Sequence, residues 1–270
     1  MTIAKQRKLL KVGRVNPEAR LRPIVQSMSG RRPWDAYDAY LFDIDGTLLN
    51  CRDAVHYYAF LDTLKLLSGR ALDLSKVATH GNTDIGILRD VLAHAGIADE
   101  AWRPRIPEAR AAMCAYVDRH RDEFHLAVMP GTRRLLKHLR RRGAVLAVAT
   151  GNLEVIGRLK LGRCGLLRYF QLGAFSDNFE RREDVFRHAL SALHARLGSD
   201  AVVCAVGDTP SDIQAARACG IDVIAVATGV HSLEQLHAER PNFCLSSFLQ
   251  LRASESGEMC RNGRRSPQIA

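Results

Sequence analysis

The sequence contains no apolar run long enough to cross a membrane. Its longest runs, such as residues 144–149, have about the length of a β-strand, whereas a spanning helix needs about 20 apolar residues. The first residues also lack the apolar core of a secretory signal. We therefore expect no membrane-spanning helix and no membrane partner.

The cysteines and histidines lack the spacings that mark disulfide frameworks and zinc sites. The seven cysteines are an odd, scattered set without a C-x-x-C pair, and the ten histidines include no H-E-x-x-H motif. Small secreted proteins pair their cysteines in regular patterns, and zinc ligands are closely spaced. We therefore expect reduced thiols, a cytoplasmic location and no zinc centre.

The positive charge is concentrated at the two ends of the chain. The formal net charge is +10; residues 1–36 contribute +7 and residues 252–270 contribute +2, which leaves +1 for the residues between. Nucleic-acid-binding domains carry their positive charge in the folded body. The charge thus predicts no nucleic-acid partner for the core, while the basic first segment is typical of a transit peptide, a polyanion-binding arm or a solvated extension.

Short apolar runs alternate with helix-sized amphipathic segments. The runs lack strict period-two alternation, as expected for strands that are covered on both faces. This alternation favours an α/β fold with a parallel, Rossmann-like sheet. The predicted strands are 39–43, 144–150, 170–175, 201–207, 222–226 and a weaker 242–246, and the helices between them include 131–142, 153–166 and 182–197.

A long interval interrupts this alternation directly after the first strand. Residues 51–128 contain no clear strand, and the three helix-like stretches in them are 53–69, 84–95 and 107–122, with Asp84 as a candidate N-cap of the second. We predict a helical subdomain over residues 51–128. The α/β core then comprises 37–50 and 129–250, flanked by a loosely ordered basic extension, 1–36, and a flexible tail, 251–270.

Polar side chains follow the predicted strands at the points where they end. Asp43 and Asp45 follow the first strand, Thr150 the second, and Asp208 and Asp212 the fourth. The carboxyl ends of parallel strands lie along one edge of a sheet, where open α/β folds bind ligands. We therefore expect these side chains to lie close together.

This set of groups predicts a chemistry. Clustered carboxylates repel one another and need a cation, and oxygen ligands without Cys or His suit Mg²⁺. A metal, an arginine (Arg181 and Arg182 follow the third strand) and turns rich in N–H groups suit a phosphoryl group. One carboxylate could attack phosphorus to form an aspartyl-phosphate, and a second could protonate the leaving oxygen and then activate water.

The motifs resemble those of the haloacid dehalogenase superfamily over roughly residues 37–250. The matching segments are DIDGT at 43–47, Thr150, a basic residue near 181 and GDTPSD at 207–212. The helical insertion has the position of a C1-type cap, and HGNTDIGIL at 80–88 resembles the phosphoglycolate-phosphatase-like group. The resemblance implies an Mg²⁺-dependent phosphatase that acts on a small phosphorylated metabolite; the sequence indicates no oligomeric state.

The resemblance also assigns roles to individual residues. Asp43 would be the nucleophile and Asp45 the general acid and base, while Thr150 would bind a phosphoryl oxygen. The metal would be held by the Asp43 and Asp208 carboxylates and the Asp45 backbone carbonyl. The remaining residues support the site: Thr47 would brace the loop, Asp212 would orient metal-bound waters, and Gly151, Asn152, Asn82, Thr83 and Asp84 would contact substrate.

The third motif departs from the family pattern, because SDNFERREDV contains no lysine where the family usually has one. We choose Arg181 as the positive charge at this position, with Arg182 and Lys160 as alternatives. Lys160 would lie about ten residues along the helix after Thr150, roughly 12–15 Å from the phosphoryl site at about 1.5 Å per residue.

Three other functions stay open at this point. A phosphomutase of the β-phosphoglucomutase kind would use the same aspartyl-phosphate and return the phosphoryl group to a sugar. A dehalogenase would use the first aspartate on carbon, without needing the acid/base aspartate or the metal carboxylates. An interaction protein would use its basic ends and no catalysis at all.

Overall fold

A six-stranded parallel sheet forms the centre of the structure, a computed structural model that describes residues 32–251. The strands in chain order are β1 (Ala39–Phe42), β2 (Leu49–Cys51), β3 (Leu126–Val128), β4 (Val145–Ala149), β5 (Leu172–Ala174), β6 (Val203–Gly207), β7 (Asp222–Val226) and β8 (Phe243–Leu245). The central sheet has the order β5-β4-β1-β6-β7-β8, so the first strand lies in the middle. All six predicted strands are confirmed, with ends that differ by at most two residues.

Helices cover both faces of this sheet and also form the insertion after β1. They are α1 (Val55–Ser68), α2 (Asp84–His94), α3 (Asp99–Trp102), α4 (Ile106–Arg119), α5 (Thr132–Arg141), α6 (Glu154–Arg163), α7 (Arg182–Leu197), α8 (Pro210–Ala218) and α9 (Leu233–Ala238). Short 3-10 turns occur at Arg103–Arg105, Arg121–Glu123, Leu167–Tyr169, Ser176–Asn178 and Phe248–Gln250. Among the described helices, none has the length and apolar content needed to cross a membrane.

Alternate residues of each strand belong to separate hydrophobic clusters. In β1, Tyr40 and Phe42 join one cluster, whereas Ala39 and Leu41 join the cluster on the opposite face. Because both faces of the sheet are covered, both sets of side chains must be apolar. This explains the continuous apolar runs and confirms the predicted α/β class with a parallel sheet.

The inserted helices have a hydrophobic core of their own. It contains Phe60 of α1, Leu88 of α2, the fully buried Trp102 of α3 and Met113 of α4. Ile156 of α6 belongs to the same cluster, so the insertion packs on the helix that follows β4. This arrangement supports the predicted helical subdomain; its proposed limits, 51–128, stay a prediction.

Strands β2 and β3 form a small antiparallel pair that the sequence did not predict. Leu49 pairs with Val128 and Cys51 with Leu126, so the chain enters and leaves the insertion side by side. Each strand has only three residues. A run this short shows no measurable periodicity, which is why residues 51–128 were expected to contain no strand.

The described residues include only a small part of the two end segments. Most of 1–36 and of 251–270 lies outside the described residues; within the described part, Asp35 is buried and accepts a hydrogen bond from His138 at 2.8 Å, so the core begins before residue 37. The six described cysteines are free thiols, which confirms for residues 32–251 the prediction of reduced cysteines.

Candidate active site

The carboxyl edge of the sheet brings Asp43, Thr150 and Asp208 together. Phe42 of β1 pairs with Val148 of β4 and with Val206 of β6, so the residues that follow the three strands are neighbours. The three side chains line a cavity of about 260 Å³ between the sheet edge and the inserted helices. The sequence prediction that they converge is confirmed.

Three carboxylates are buried close together at this edge of the sheet. Oxygen atoms of Asp43, Asp208 and Asp212 lie within 4.8 Å of one another, and each residue is at most 5% exposed. Burial raises the pKa of Asp43 to about 6 although the neighbouring Arg182 opposes the shift. Burial and the Asp43 charge raise the pKa of Asp208 well above its ordinary value. The site therefore carries more negative charge than its own cation neutralises.

Arg182, and not Arg181, supplies the cation beside the nucleophile position. The Arg182 guanidinium lies 2.6 Å from Asp43 Oδ1 and donates two hydrogen bonds to Asp212 Oδ1, at 2.6 and 3.1 Å. The Arg181 side chain is 66% exposed and lies 3.4 Å from Glu183. The prediction that Arg181 supplies this positive charge is therefore wrong, and the alternative, Arg182, lies at the site.

The register of helix α7 explains this difference. Arg182 is its first residue and shares the buried face with Val185, Phe186 and Ala189. Residues three and four apart lie on one face of a helix, so Arg182 is directed inward and Arg181 outward. The apolar spacing that begins at residue 182 could have identified the correct arginine from sequence.

A second cation, Lys160, binds the other aspartate of the DIDGT motif. Lys160 Nζ donates to Asp45 Oδ2 at 2.7 Å and to Asn152 Oδ1 at 2.8 Å, and Asn152 Nδ2 donates to the same Asp45 oxygen at 2.8 Å. Burial raises the pKa of Asp45, but Lys160 and Asn152 outweigh it, and the net shift is downward. The other oxygen, Oδ1, is buried without a hydrogen-bond partner among the described residues.

The expectation that Lys160 lies far from the site is wrong. Helix α6 begins at Glu154, after a turn that follows Thr150, and it crosses beside Ile44 at Gly157. A helical side chain also points back toward the N-terminus of its helix. Lys160 is 1% exposed and lies among the apolar residues of the buried face of α6; a lysine at an apolar helix position is the signal that sequence reasoning missed.

The inserted helices contribute His56 to the same cluster. Its Nδ1 lies 3.2 Å from Lys160 Nζ, and its Nε2 lies 3.2 Å from Asp84 Oδ2. Because Lys160 has only protons to donate, Nδ1 accepts and Nε2–H donates. His56 was not predicted as a site residue.

Thr150 and Thr47 form hydrogen bonds with other predicted site residues. Thr150 is fully buried, and its hydroxyl accepts a hydrogen bond from Asn152 Nδ2 at 2.8 Å. Thr47 donates to Asp208 Oδ1 at 2.7 Å. Asp212 is held by Arg182 and by the Thr209 hydroxyl, which donates to its Oδ2 at 2.8 Å.

The predicted substrate contacts divide into two groups. Asn82, Asp84, Gly151 and Asn152 line the cavity. Thr83 does not: it is fully buried, it donates to the Glu180 carbonyl, and it caps helix α2 by accepting from Gly86 N at 2.9 Å. Thr83 therefore takes the N-cap position that was expected for Asp84, which is the first residue of the helix.

Gly151 allows the insertion to approach the sheet edge. A Cβ atom at this position would overlap the Asn82 carbonyl. With glycine there, Asp84 N donates to the Gly151 carbonyl at 2.7 Å. This backbone contact joins the two halves of the cavity.

The donor set fits a divalent cation with a preference for oxygen. Both Asp212 oxygens are engaged by Arg182 and Thr209, which leaves Asp43 and Asp208 as the carboxylates that would hold the ion. The Asp208 carboxylate lies where a Cβ on Gly46 or on Gly229 would overlap it. Hard carboxylate oxygens without sulfur or imidazole suit Mg²⁺.

A family model described as haloacid dehalogenase-like hydrolase matches residues 40–226, from β1 through β7. The chain belongs to this family. The resemblance inferred from the motifs is thereby confirmed, and the buried Asp43, Thr150, Arg182 and Asp208 of this hydrolase all lie inside the matched region.

Named relatives cover most of the hydrolase. The probable phosphatase IndB of Dickeya dadantii (strain 3937) is 30% identical over 213 residues, which are 78% of this chain and 90% of that protein. A phosphoglycolate phosphatase of Pseudomonas syringae pv. tomato (strain ATCC BAA-871 / DC3000) is 31% identical over 219 residues, 78% of this chain and 77% of that protein.

A solved structure supports the fold of the hydrolase. CbbY from Rhodobacter sphaeroides, in complex with phosphate, superposes with a TM-score of 0.59 at 21% identity and covers 79% of this chain and 96% of its own. At this level of identity the likeness concerns the fold alone.

Proposed function

We propose that this hydrolase is an Mg²⁺-dependent phosphatase that cleaves a small phosphomonoester through an aspartyl-phosphate on Asp43. The observation that carries the proposal is the buried trio of Asp43, Asp208 and Arg182 at the carboxyl edge of the sheet. The relatives named as phosphatases support the same reaction class. A cytoplasmic location is part of the proposal and rests on the free thiols of the described cysteines.

In the first step an Asp43 carboxylate oxygen forms a bond to phosphorus while the bond to the leaving alcohol oxygen breaks. Arg182, which lies beside Asp43, and Thr150, which lines the same cavity, would bind phosphoryl oxygens. Mg²⁺ held by the Asp43 and Asp208 carboxylates would neutralise charge on the phosphoryl group and the nucleophile. Asp45 gives its proton to the leaving oxygen.

In the second step Asp45 takes a proton from water as the water oxygen attacks phosphorus. The bond between phosphorus and Asp43 breaks, and inorganic phosphate leaves. Lys160 and Asn152 keep the pKa of Asp45 low, so its carboxylate is ionised and able to accept this proton. For the first step the carboxyl needs a proton, and the negative phosphoryl group favours protonation because like charges disfavour the ionised form.

The Asp43→Asn variant tests the nucleophile. We expect hydrolysis of p-nitrophenyl phosphate to fall to background, with an unchanged circular dichroism spectrum, because the amide matches the carboxylate in size but cannot form the acyl phosphate. EDTA should abolish wild-type activity, and added Mg²⁺ should restore it. Undiminished turnover by the variant would refute the mechanism, and activity insensitive to EDTA would refute the metal requirement.

A further inference from the structure

The wall of the cavity that the inserted helices contribute includes an apolar patch. The side chains of Tyr57, Phe60, Leu74 and Ile87 line it. The last three are buried in the helical core, whereas Tyr57 remains 39% exposed at the cavity. The leaving part of a monoester bound at Asp43 would contact this wall.

The two strong cations of the cavity are already engaged. Lys160 and Arg182 are the lysine and arginine side chains of residues 32–251 that line it. Lys160 binds Asp45, Asn152 and His56, and Arg182 lies between Asp43 and Asp212. Neither is left to bind a second anionic group at the far end of a substrate.

The histidines of this wall do not provide that charge either. Both ring nitrogens of His56 are occupied, by Lys160 and by Asp84. Burial and the nearby His231 lower the pKa of His80, which favours its neutral form. The wall thus has no free full positive charge among the described residues.

Two carboxylates add negative charge to the same wall. Asp53 accepts hydrogen bonds from the backbone N–H groups of Val55 and His125, at 2.9 and 2.6 Å, and it lines the cavity together with Asp84. A second anion on the substrate would meet these carboxylates and be repelled.

We propose that the preferred substrates are phosphomonoesters of neutral alcohols with an apolar or aromatic body, which stacks on Tyr57, and that esters carrying a second anionic group are poor substrates. The proposal rests on the phosphatase activity proposed above. It separates this chain from its relatives named phosphoglycolate phosphatases, because the glycolate ester carries a carboxylate beside its phosphate.

Three small esters test the proposal with the full-length protein and Mg²⁺. Benzyl phosphate offers a ring, 2-hydroxyethyl phosphate offers a neutral chain, and 2-phosphoglycolate offers the same chain with a carboxylate. Their alcohols have similar acidity, so the chemical step is matched. We expect kcat/KM for benzyl phosphate to exceed that for 2-hydroxyethyl phosphate by about tenfold or more, and 2-phosphoglycolate to be lower by about another tenfold.

Variants of two neighbouring tyrosines locate the effect. Tyr57→Ala should raise KM for benzyl phosphate about three- to tenfold and change it little for 2-hydroxyethyl phosphate, while Tyr57→Phe retains the ring and the wild-type KM. Tyr58→Ala is the matched control, since Tyr58 is 43% exposed on the same helix but is not among the residues that line the cavity.

The outcomes separate the two proposals. Hydrolysis with a preference for 2-phosphoglycolate would overturn the substrate class and leave the phosphatase function standing. An equal loss with Tyr58→Ala would overturn the role of Tyr57. Failure to hydrolyse any of the three esters would overturn this inference, and failure to hydrolyse p-nitrophenyl phosphate as well would overturn the proposed function.

Discussion

Arg181 and Arg182 are adjacent in the chain, yet the structure places them in opposite environments. Arg182 is buried between two carboxylates, whereas Arg181 is largely in solvent beside Glu183. An exposed ion pair contributes little to the free energy of unfolding. A buried arginine that pairs with two carboxylates instead holds both carboxylates in place. One position in a helix therefore separates a site residue from a surface residue.

Substitution of the two arginines should separate their roles. Arg182→Ala is expected to lower kcat/KM about 100-fold or more, because the proposed donor to the phosphoryl group is lost. It should also destabilise the fold by about 3–5 kcal/mol, since two buried carboxylates lose their partner. Arg181→Ala is the matched control and should keep the kcat/KM and the stability of the wild type. Steady-state kinetics and urea unfolding measure the two quantities. Equal losses in the two variants would contradict the assignment of Arg182 as the site cation.

Lys160 is the second residue whose importance only the structure reveals. Lys160→Met should leave the Asp45 carboxylate without its cationic partner and cost about 1–3 kcal/mol in the free energy of unfolding. We also expect kcat to fall about tenfold or more, because Asp45 loses the partner that orients it. Lys137→Met, on the exposed side of helix α5, is the control. A kcat equal to wild type for the Lys160 variant would show that its ion pair has no part in turnover.

At the scale of elements, the end of strand β1 is the feature on which the site depends. Asp43 directly follows the strand, and the chain then turns at Gly46 with a φ of 86°. A Cβ atom at Gly46 would overlap the Asp208 carboxylate. Glycine there provides both a backbone conformation that other residues rarely adopt and the space for a buried acid.

Gly46→Ala should therefore cost more than an alanine elsewhere in the same conformation. Gly143 also has a φ of 86°, but nothing lies within 4 Å of its Cβ position. We expect Gly143→Ala to destabilise by about 1–2 kcal/mol and to keep full activity. Gly46→Ala should lose more stability than Gly143→Ala and should also lose most of its activity. Thermal unfolding and steady-state kinetics measure the two losses, and equal results for the two variants would contradict this prediction.

Strands that form long apolar runs in the sequence could be predicted, and strands of only three residues could not. Strands β4 and β6 have five residues each and are buried for most of their length, so an apolar run marks them. Strands β2 and β3 have three residues and exist because they pair with each other. The N-cap of α2 is Thr83, and choosing between adjacent Thr and Asp requires the backbone geometry of the turn.

At the scale of the whole molecule, the buried acids should make stability depend on pH and on metal. The pKa of Asp43 rises from 3.8 to about 6 on folding, so the folded state binds more protons between these values. Stability from this group is therefore full below about pH 4 and is lost as pH rises through about 6. Asp208, whose pKa shifts in the same direction, adds to this effect.

Unfolding in EDTA should show this dependence directly. Asp43→Asn should be about as stable as wild type at pH 4 and more stable by about 2–3 kcal/mol at pH 7, because the amide is never charged. Mg²⁺ at 100 times its dissociation constant should then raise wild-type stability at pH 7 by about 2.7 kcal/mol. A difference between the two proteins that does not change with pH would contradict the burial of an ionising Asp43.

At the same scale, the net charge of the chain does not show how the charged residues are distributed along it. The body between the basic ends has a net charge of +1, yet residues 124–176 contain ten Lys and Arg and one acid, Glu154. Arg133, Lys137 and Arg140 are exposed on helix α5. The prediction of no nucleic-acid partner for the core rests on the total and stays a prediction.

The sequence by itself determined the sheet, the family and the convergence of Asp43, Asp45, Thr150 and Asp208, because apolar runs mark strands and parallel strands end at one edge. Only the tertiary structure showed which cations pair with these carboxylates. Arg182 and Lys160 reach the site through the register of α7 and the path of α6. The composition of the cavity wall was decided in the same way, since residues from distant helices meet there through packing that no local pattern encodes.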